Sequence, residues 1–200
     1  MPRLIQTPQI PGISECLLEE PEHDDAQIAV VVCHPHPMYG GTMHNKVVYR
    51  MARGLRHSGA VVLRFNFRKT GVVEEGMEDA KAALGWLRAR YPDLPWAMAG
   101  FSFGARVATQ VACEEAGARF VLAAGFPTRW GKPGFLEACA VRKIFVQSTN
   151  DQYGPRGEFE AMFATLGEPK EVRWVEASDH FFAGALDEFE AKVVLQAHSL

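Results

Sequence analysis

Residues Ile28–Cys33 read Ile-Ala-Val-Val-Val-Cys, with no polar side chain in the run. A strand with one wet face alternates apolar and polar residues, so a strand without polar positions has to be covered on both faces. Ala60–Phe65 repeats the pattern, and further strand-length apolar runs follow at 95–99, 119–124, 143–147 and, more weakly, 172–175. The segments between them carry helical periodicity. Lys46–His57 sets Val47, Val48, Met51, Ala52 and Leu55 on one face, and Ser58-Gly59 marks its stop. The same spacing predicts helices over 78–91, from near Ser102 through Ala112, over 157–166 and over 186–195. Strands alternating with helices imply a mostly parallel sheet with helices on both faces, joined by right-handed crossovers. Residues 1–27 are less regular, and 4–6 and 14–18 read as edge strands. With no repeat, low-complexity tract or dividing linker, residues 1–200 are expected to form one α/β domain.

Composition excludes several classes of function. A net charge of −3 gives no electrostatic case for binding nucleic acid. The acidic stretch Glu19-Glu20-Pro21-Glu22-His23-Asp24-Asp25 reads as a solvated loop. No apolar run is long enough to span a bilayer, and the first residues lack an apolar core of signal-peptide length, so a cytoplasmic protein with no membrane partner is expected. Cys16, Cys33, Cys113 and Cys139 are widely spaced without a C-x-x-C pair. No disulfide framework is therefore expected, and Cys33 and Cys113 read as small core residues. Neither G-x-x-x-x-G-K-[ST] nor G-x-G-x-x-G occurs, which argues against a nucleotide site; no cofactor is expected.

The sharpest chemical signal is Gly100-Phe101-Ser102-Phe103-Gly104, lying between an expected strand and an expected helix. A serine on so tight a strand-to-helix turn takes strained backbone angles, and the residues two before and two after it approach neighbouring backbone. Glycine is what those two positions allow. The turn lifts the hydroxyl clear of the sheet and aims a helix N-terminus at it, favouring the negative charge that develops in acyl transfer.

A serine hydroxyl needs a base, and the base needs an orienting partner. Around such a turn the acid and then the base follow the serine in chain order. Only His180 and His198 come after Ser102, and His198 is third from the end. His180 follows the last expected strand, at the sheet edge where ligand-facing groups gather, and is the expected base. Asp151 directly follows the strand at 143–147. Its rival Asp179 adjoins His180, and adjacent side chains on an extended segment point opposite ways, so Asp151 is the expected acid.

The run Ile28–Cys33 feeds His34-Pro35-His36-Pro37-Met38-Tyr39-Gly40-Gly41-Thr42-Met43. Such a loop supplies one backbone N–H to an oxyanion, the other coming from Phe103. Pro35 and Pro37 have no N–H, leaving His36 and Met38 as alternative donors. Together with Arg64-Phe65-Asn66-Phe67-Arg68 and the Gly100–Gly104 motif, this loop resembles the small, cap-less α/β-hydrolases related to dienelactone hydrolase, over roughly 34–182. The resemblance implies a core α/β-hydrolase fold and maps nucleophile, acid and base onto Ser102, Asp151 and His180. Dienelactone hydrolase itself has cysteine where this chain has Ser102. The chain also departs from the family at Lys69-Thr70-Gly71-Val72-Val73-Glu74-Glu75-Gly76, a segment that is usually glycine-rich and serine-containing and borders the pocket.

The expected substrate is a small soluble carboxylic ester. The segment 125–150 has no room for a helical cap, so a shallow cleft walled by Met38, Tyr39, Phe101, Phe126 and Phe182 is expected, favouring short acyl chains. A peptidase or acyltransferase would use the same three residues, and a non-catalytic binding module would need none of them. A zinc site built on His34, His36 and His44 lacks a completing motif, and no metal is expected.

Overall fold

A computed structural model describes residues 5–21, 25–131 and 134–195. Its eight strands are β1 (Ile5–Gln6), β2 (Cys16–Glu19), β3 (Ile28–Cys33), β4 (Ala60–Phe65), β5 (Trp96–Phe101), β6 (Ala118–Ala124), β7 (Arg142–Ser148) and β8 (Lys170–Val175). The helices are α1 (Lys46–His57), α2 (Val73–Arg90), α3 (Phe103–Glu114), α4 (Arg156–Thr165) and α5 (Leu186–Val193). The sheet order is β1-β2-β4-β3-β5-β6-β7-β8, antiparallel across β1, β2 and β4 and parallel throughout the rest. Leu4, the first residue of one expected edge strand, lies outside the described residues, as does His198.

The unbroken apolar runs have the reason expected of them. Along β3, Ile28, Val30 and Val32 pack beneath α1 and α5, while Ala29, Val31 and Cys33 pack beneath α2 and α3. The β6 and β7 strands alternate in the same way, Ala123 and Phe145 facing Phe159 and Met162 of α4. One face of the sheet is thus covered by α1 and α5, the other by α2, α3 and α4. Between β6 and β7 the described residues hold only two three-residue 3-10 turns, Thr128–Trp130 and Gly134–Leu136, and no cap. Among the described residues no helix is long and apolar enough to cross a membrane.

Two expectations are corrected here. Cys113 at the end of α3 is disulfide-bonded to Cys139, with Cα atoms 5.4 Å apart. The pair lies 26 residues apart in sequence and meets only because the segment after Gly134–Leu136 folds back along α3. Cysteine usage therefore gives no support to a reducing compartment. The second concerns Glu19, which is not in a solvated loop. It ends β2, is 3% exposed, and pairs with Arg64 of β4 at 2.6 Å. Residues 22–24 of that acidic stretch lie outside the described residues.

The arginines of Arg64–Arg68 are structural anchors. Arg64 also donates to the Met43 carbonyl at 2.7 Å, tying β4 to the loop after β3. Arg68 holds the buried Asp79 of α2 through its Nε and Nη2, 2.9 and 2.7 Å away, fixing the exit from β4. Removing one partner of a buried ion pair leaves an uncompensated charge and costs about 3–5 kcal/mol. Glu19→Ala is therefore expected to lower the unfolding free energy by roughly that amount in urea titration. A loss under about 1 kcal/mol would mean that water reaches Arg64.

Candidate active site

β5 runs two residues further than the sequence pattern suggests and ends at Phe101, and α3 begins at Phe103. Ser102 is the whole turn. Its backbone lies at φ 58° and ψ −117°, one of two non-glycine residues with positive φ among the described residues. A Cβ on Gly100 would run into the Gly104 carbonyl, and one on Gly104 would run into the Cys33 carbonyl at the end of β3. The glycine spacing thus answers to two backbone collisions.

Ser102 is 5% exposed and lines a cleft of about 310 Å³ at the C-terminal edge of the parallel strands. His180 and Asp151 meet at the same edge of the sheet, in the loops after β8 and β7: His180 Nδ1 lies 2.7 Å from Asp151 Oδ2, both side chains being almost wholly buried. The other carboxylate oxygen of Asp151 accepts the Tyr153 and Gly154 N–H groups at 2.8 and 3.0 Å, which fixes its plane. The His180 ring is walled by Phe101, Tyr153 and Phe181 at centroid distances of 4.9, 4.8 and 5.3 Å. Asp179 turns away from that ring and accepts the Phe181 and Ala183 N–H groups.

The loop after β3 is braced by its first histidine. His34 Nε2 accepts the Phe67 N–H at 2.9 Å, and Nδ1 lies 2.6 Å from the Pro35 carbonyl. An acceptor at Nε2 and a donor at Nδ1 define the neutral ring, and a second proton would set N–H against N–H. Burial pulls the His34 pKa down from 6.5 to about 4, against a smaller upward pull from the Pro35 carbonyl. His36 stands further out. Its ring packs against Tyr39, Phe103 and Trp130, and partial burial lowers its pKa. His44 lies beside Glu15 at 3.5 Å. Among the described residues no three His, Cys, Asp or Glu side chains gather to hold a metal.

The backbone donors differ in availability. Among the described residues neither the Phe103 nor the His36 N–H has a protein acceptor, whereas the Met38 N–H donates to His36 Nδ1 at 3.3 Å.

The cleft walls correct the sequence reading. Of the expected residues only Tyr39 lines the cleft beside His36. Met38 is largely exposed and does not line it. Phe101, Phe126 and Phe182 are wholly buried. Phe101 lies under the His180 ring, and Phe126 packs on Phe145. Phe182 takes a left-handed φ of 57°, which turns it inward onto Phe189 and leaves Phe181 half-exposed at the cleft. Trp130, Tyr153 and Phe181 supply the aromatic walls instead, with Pro35, Gly40, Gly41 and Asn45 completing the lining. Proximity in the chain was the available signal, since Tyr153 follows Asp151 by two residues and Phe181 adjoins His180. The atypical 69–76 segment also reaches the site. Gly71, at φ 72°, lies so close to the His36 ring that a Cβ there would collide with it.

A strained serine between a buried parallel strand and a helix, at the strand ends of a cap-less sheet, defines the α/β-hydrolase class. The chain belongs to the alpha/beta hydrolase domain family, which it matches over residues 27–192. An uncharacterized protein of Rickettsia prowazekii is 31% identical over 185 residues, covering 84% of this chain and 77% of that one. Among solved structures, an alpha-beta serine hydrolase homologue from Coxiella burnetii superposes with a TM-score of 0.87 at 29% identity, covering 97% of each chain. A lidless a/b serine hydrolase from Xanthomonas campestris gives 0.83 at 27% identity, covering 98% of this chain and 93% of that one.

His34 sets a pH dependence of stability. The unfolded chain takes up this proton near pH 6.5 and the folded chain only near pH 4, so the unfolded state binds more protons in between. The contribution is complete above the unfolded pKa and is lost as pH falls towards 4. It amounts to about 3 kcal/mol. Urea unfolding of His34→Gln between pH 7.5 and 4.5 is expected to show a shallower decline than wild type. Parallel declines would place the acid sensitivity elsewhere.

Proposed function

We propose that this chain is a serine hydrolase acting on small carboxylic esters through an acyl-enzyme on Ser102, with His180 as general base and Asp151 orienting it. The observation that carries this reading is the 2.7 Å contact between Asp151 and His180 Nδ1, whose ring packs on Tyr153 and Phe181 of the open cleft that also holds a serine at φ 58°. With Asp151 on Nδ1, the neutral ring carries its proton there and keeps the Nε2 lone pair for the serine proton. Ser102 Oγ attacks the ester carbonyl carbon, and its proton passes to His180 Nε2. The alcohol leaves with that proton. Water then attacks the acyl-enzyme, giving one proton to His180, which returns it to Ser102 as the carboxylic acid departs.

The negative charge on the carbonyl oxygen in both tetrahedral steps needs donors already in place. We assign these to the Phe103 and His36 N–H groups, which have no other acceptor among the described residues. Engagement of the Met38 N–H by the His36 ring favours His36 over Met38.

Ser102→Ala is expected to abolish labelling by a fluorophosphonate probe and to reduce ester turnover on the order of 10⁴–10⁶-fold. Asp151→Asn should be severe and Asp179→Asn mild. Near wild-type turnover in Ser102→Ala, or the reverse ranking of the two aspartates, refutes the assignment.

The cleft is open and short-walled, so an acyl chain soon runs out of surface to cover it. Each buried methylene adds about 0.8 kcal/mol only while wall remains. Across p-nitrophenyl esters, kcat/KM is expected to peak at about two to six acyl carbons and then decline. A steady rise out to palmitate would require a tunnel or an added lid.

A further inference from the structure

Arg106 lies one helical turn beyond Ser102 on α3, its backbone N–H bonded to the Ser102 carbonyl at 3.2 Å. Its guanidinium reaches to the turn at Thr128–Trp130, where Nη1 donates to the Trp130 and Gly131 carbonyls at 3.1 and 2.9 Å. Arg50, Arg64, Arg68 and Arg173 each face a carboxylate, but no carboxylate among the described residues pairs with Arg106. A guanidinium presents five N–H donors in a planar fork. Nη1 accounts for both bonds here, leaving the edge formed by Nε and Nη2 without a protein acceptor among the described residues. That edge grips a carboxylate with two parallel hydrogen bonds. Partial burial already disfavours the charged form and pulls the Arg106 pKa down, a cost that an incoming anion would relieve.

The surroundings favour a small organic anion. Arg106 lines a second cleft of about 290 Å³ with His36, Tyr39, Gly71, Val73, Phe103 and Trp130. His36, Tyr39 and Trp130 also line the cleft that holds Ser102, so the two spaces meet along one aromatic rim. Gly71 is what lets the 69–76 segment close against His36 here.

We propose that Arg106 is a specificity-determining residue that seats a carboxylate carried by the ester substrate, a few bonds from the carbonyl attacked at Ser102. The inference rests on the esterase reading and narrows its substrate class to anionic esters.

The test compares matched substrates in two arms. In the first, p-nitrophenyl hemiglutarate is set against p-nitrophenyl pentanoate, placing the carboxylate on the acyl side. In the second, 4-carboxyphenyl butyrate is set against phenyl butyrate, placing it on the leaving group. After subtraction of the uncatalysed rates, wild type is expected to prefer the anionic member in at least one arm. Arg106→Met should cut the anionic-to-neutral ratio of kcat/KM in that arm roughly 10–100-fold, and Arg106→Lys, which keeps the charge but loses the fork, less. An equal fall on both members accompanied by a lower Tm would mean that Arg106 only ties down the 128–131 turn, and overturns the proposal. So would an unchanged ratio in both arms. If wild type hydrolyses no ester at all, the esterase reading is what fails. Quenching of tryptophan fluorescence by glutarate then decides the seat alone: quenching lost in Arg106→Met supports it, and equal quenching in both proteins overturns it.

Discussion

The left-handed backbone at Ser102 is the constraint around which the C-terminal edge of the parallel strands is built. A non-glycine residue there costs about 1–3 kcal/mol and persists only where its surroundings over-determine it. Here the Ser102 N–H bonds to the Ala124 carbonyl of β6 at 2.9 Å, and the Ser102 carbonyl accepts from Ala105 and Arg106 in the first turn of α3. The first anchor requires β6 to lie beside β5, which sits between β3 and β6 in the interior of the parallel sheet, whereas the second is local to α3. The apolar strand runs and the placement of one hydroxyl at the floor of the cleft are therefore parts of one arrangement.

Around that turn, residues from distant strands hold one another in place. The loop after β3 is fixed near its start by His34, which receives the Phe67 N–H, and near its end by Asn66 and Arg64, which bind the two backbone polar groups of Met43. Three residues at the end of β4 thus shape a loop that belongs to β3. This is a physical reason for the Arg-Phe-Asn-Phe-Arg run, none of whose side chains lines the Ser102 cleft. Asp151 shows the same economy, one oxygen held by the Tyr153 and Gly154 N–H groups and the other on His180.

The same framework explains why the cleft is aromatic, open and unlike its sequence-level sketch. Phe101 supports the His180 ring from beneath, while Phe126 packs on Phe145 and Phe182 on Phe189 within the covered faces of the sheet. Trp130, Tyr153 and Phe181 come from three loops at the strand ends and remain partly exposed because no cap covers them.

Taken alone, the sequence determined everything that depends on short-range pattern. Apolar runs and helical spacing gave the alternating elements, because burial on one or two faces imposes a period on neighbouring residues. The glycine spacing about Ser102, and the order in which Asp151 and His180 follow it, marked the three residues that the fold gathers at one edge. Tertiary structure alone decided what depends on the direction of a single side chain or on the meeting of distant segments. The left-handed turn at Phe182 decides that Phe181 rather than its neighbour faces the cleft. The close approach of α3 and the 134–139 segment joins Cys113 to Cys139, and the pairing of β2 with β4 buries Glu19 against Arg64. No local period encodes these contacts, because each is fixed by the relative placement of segments that the chain brings together only when the whole sheet has formed.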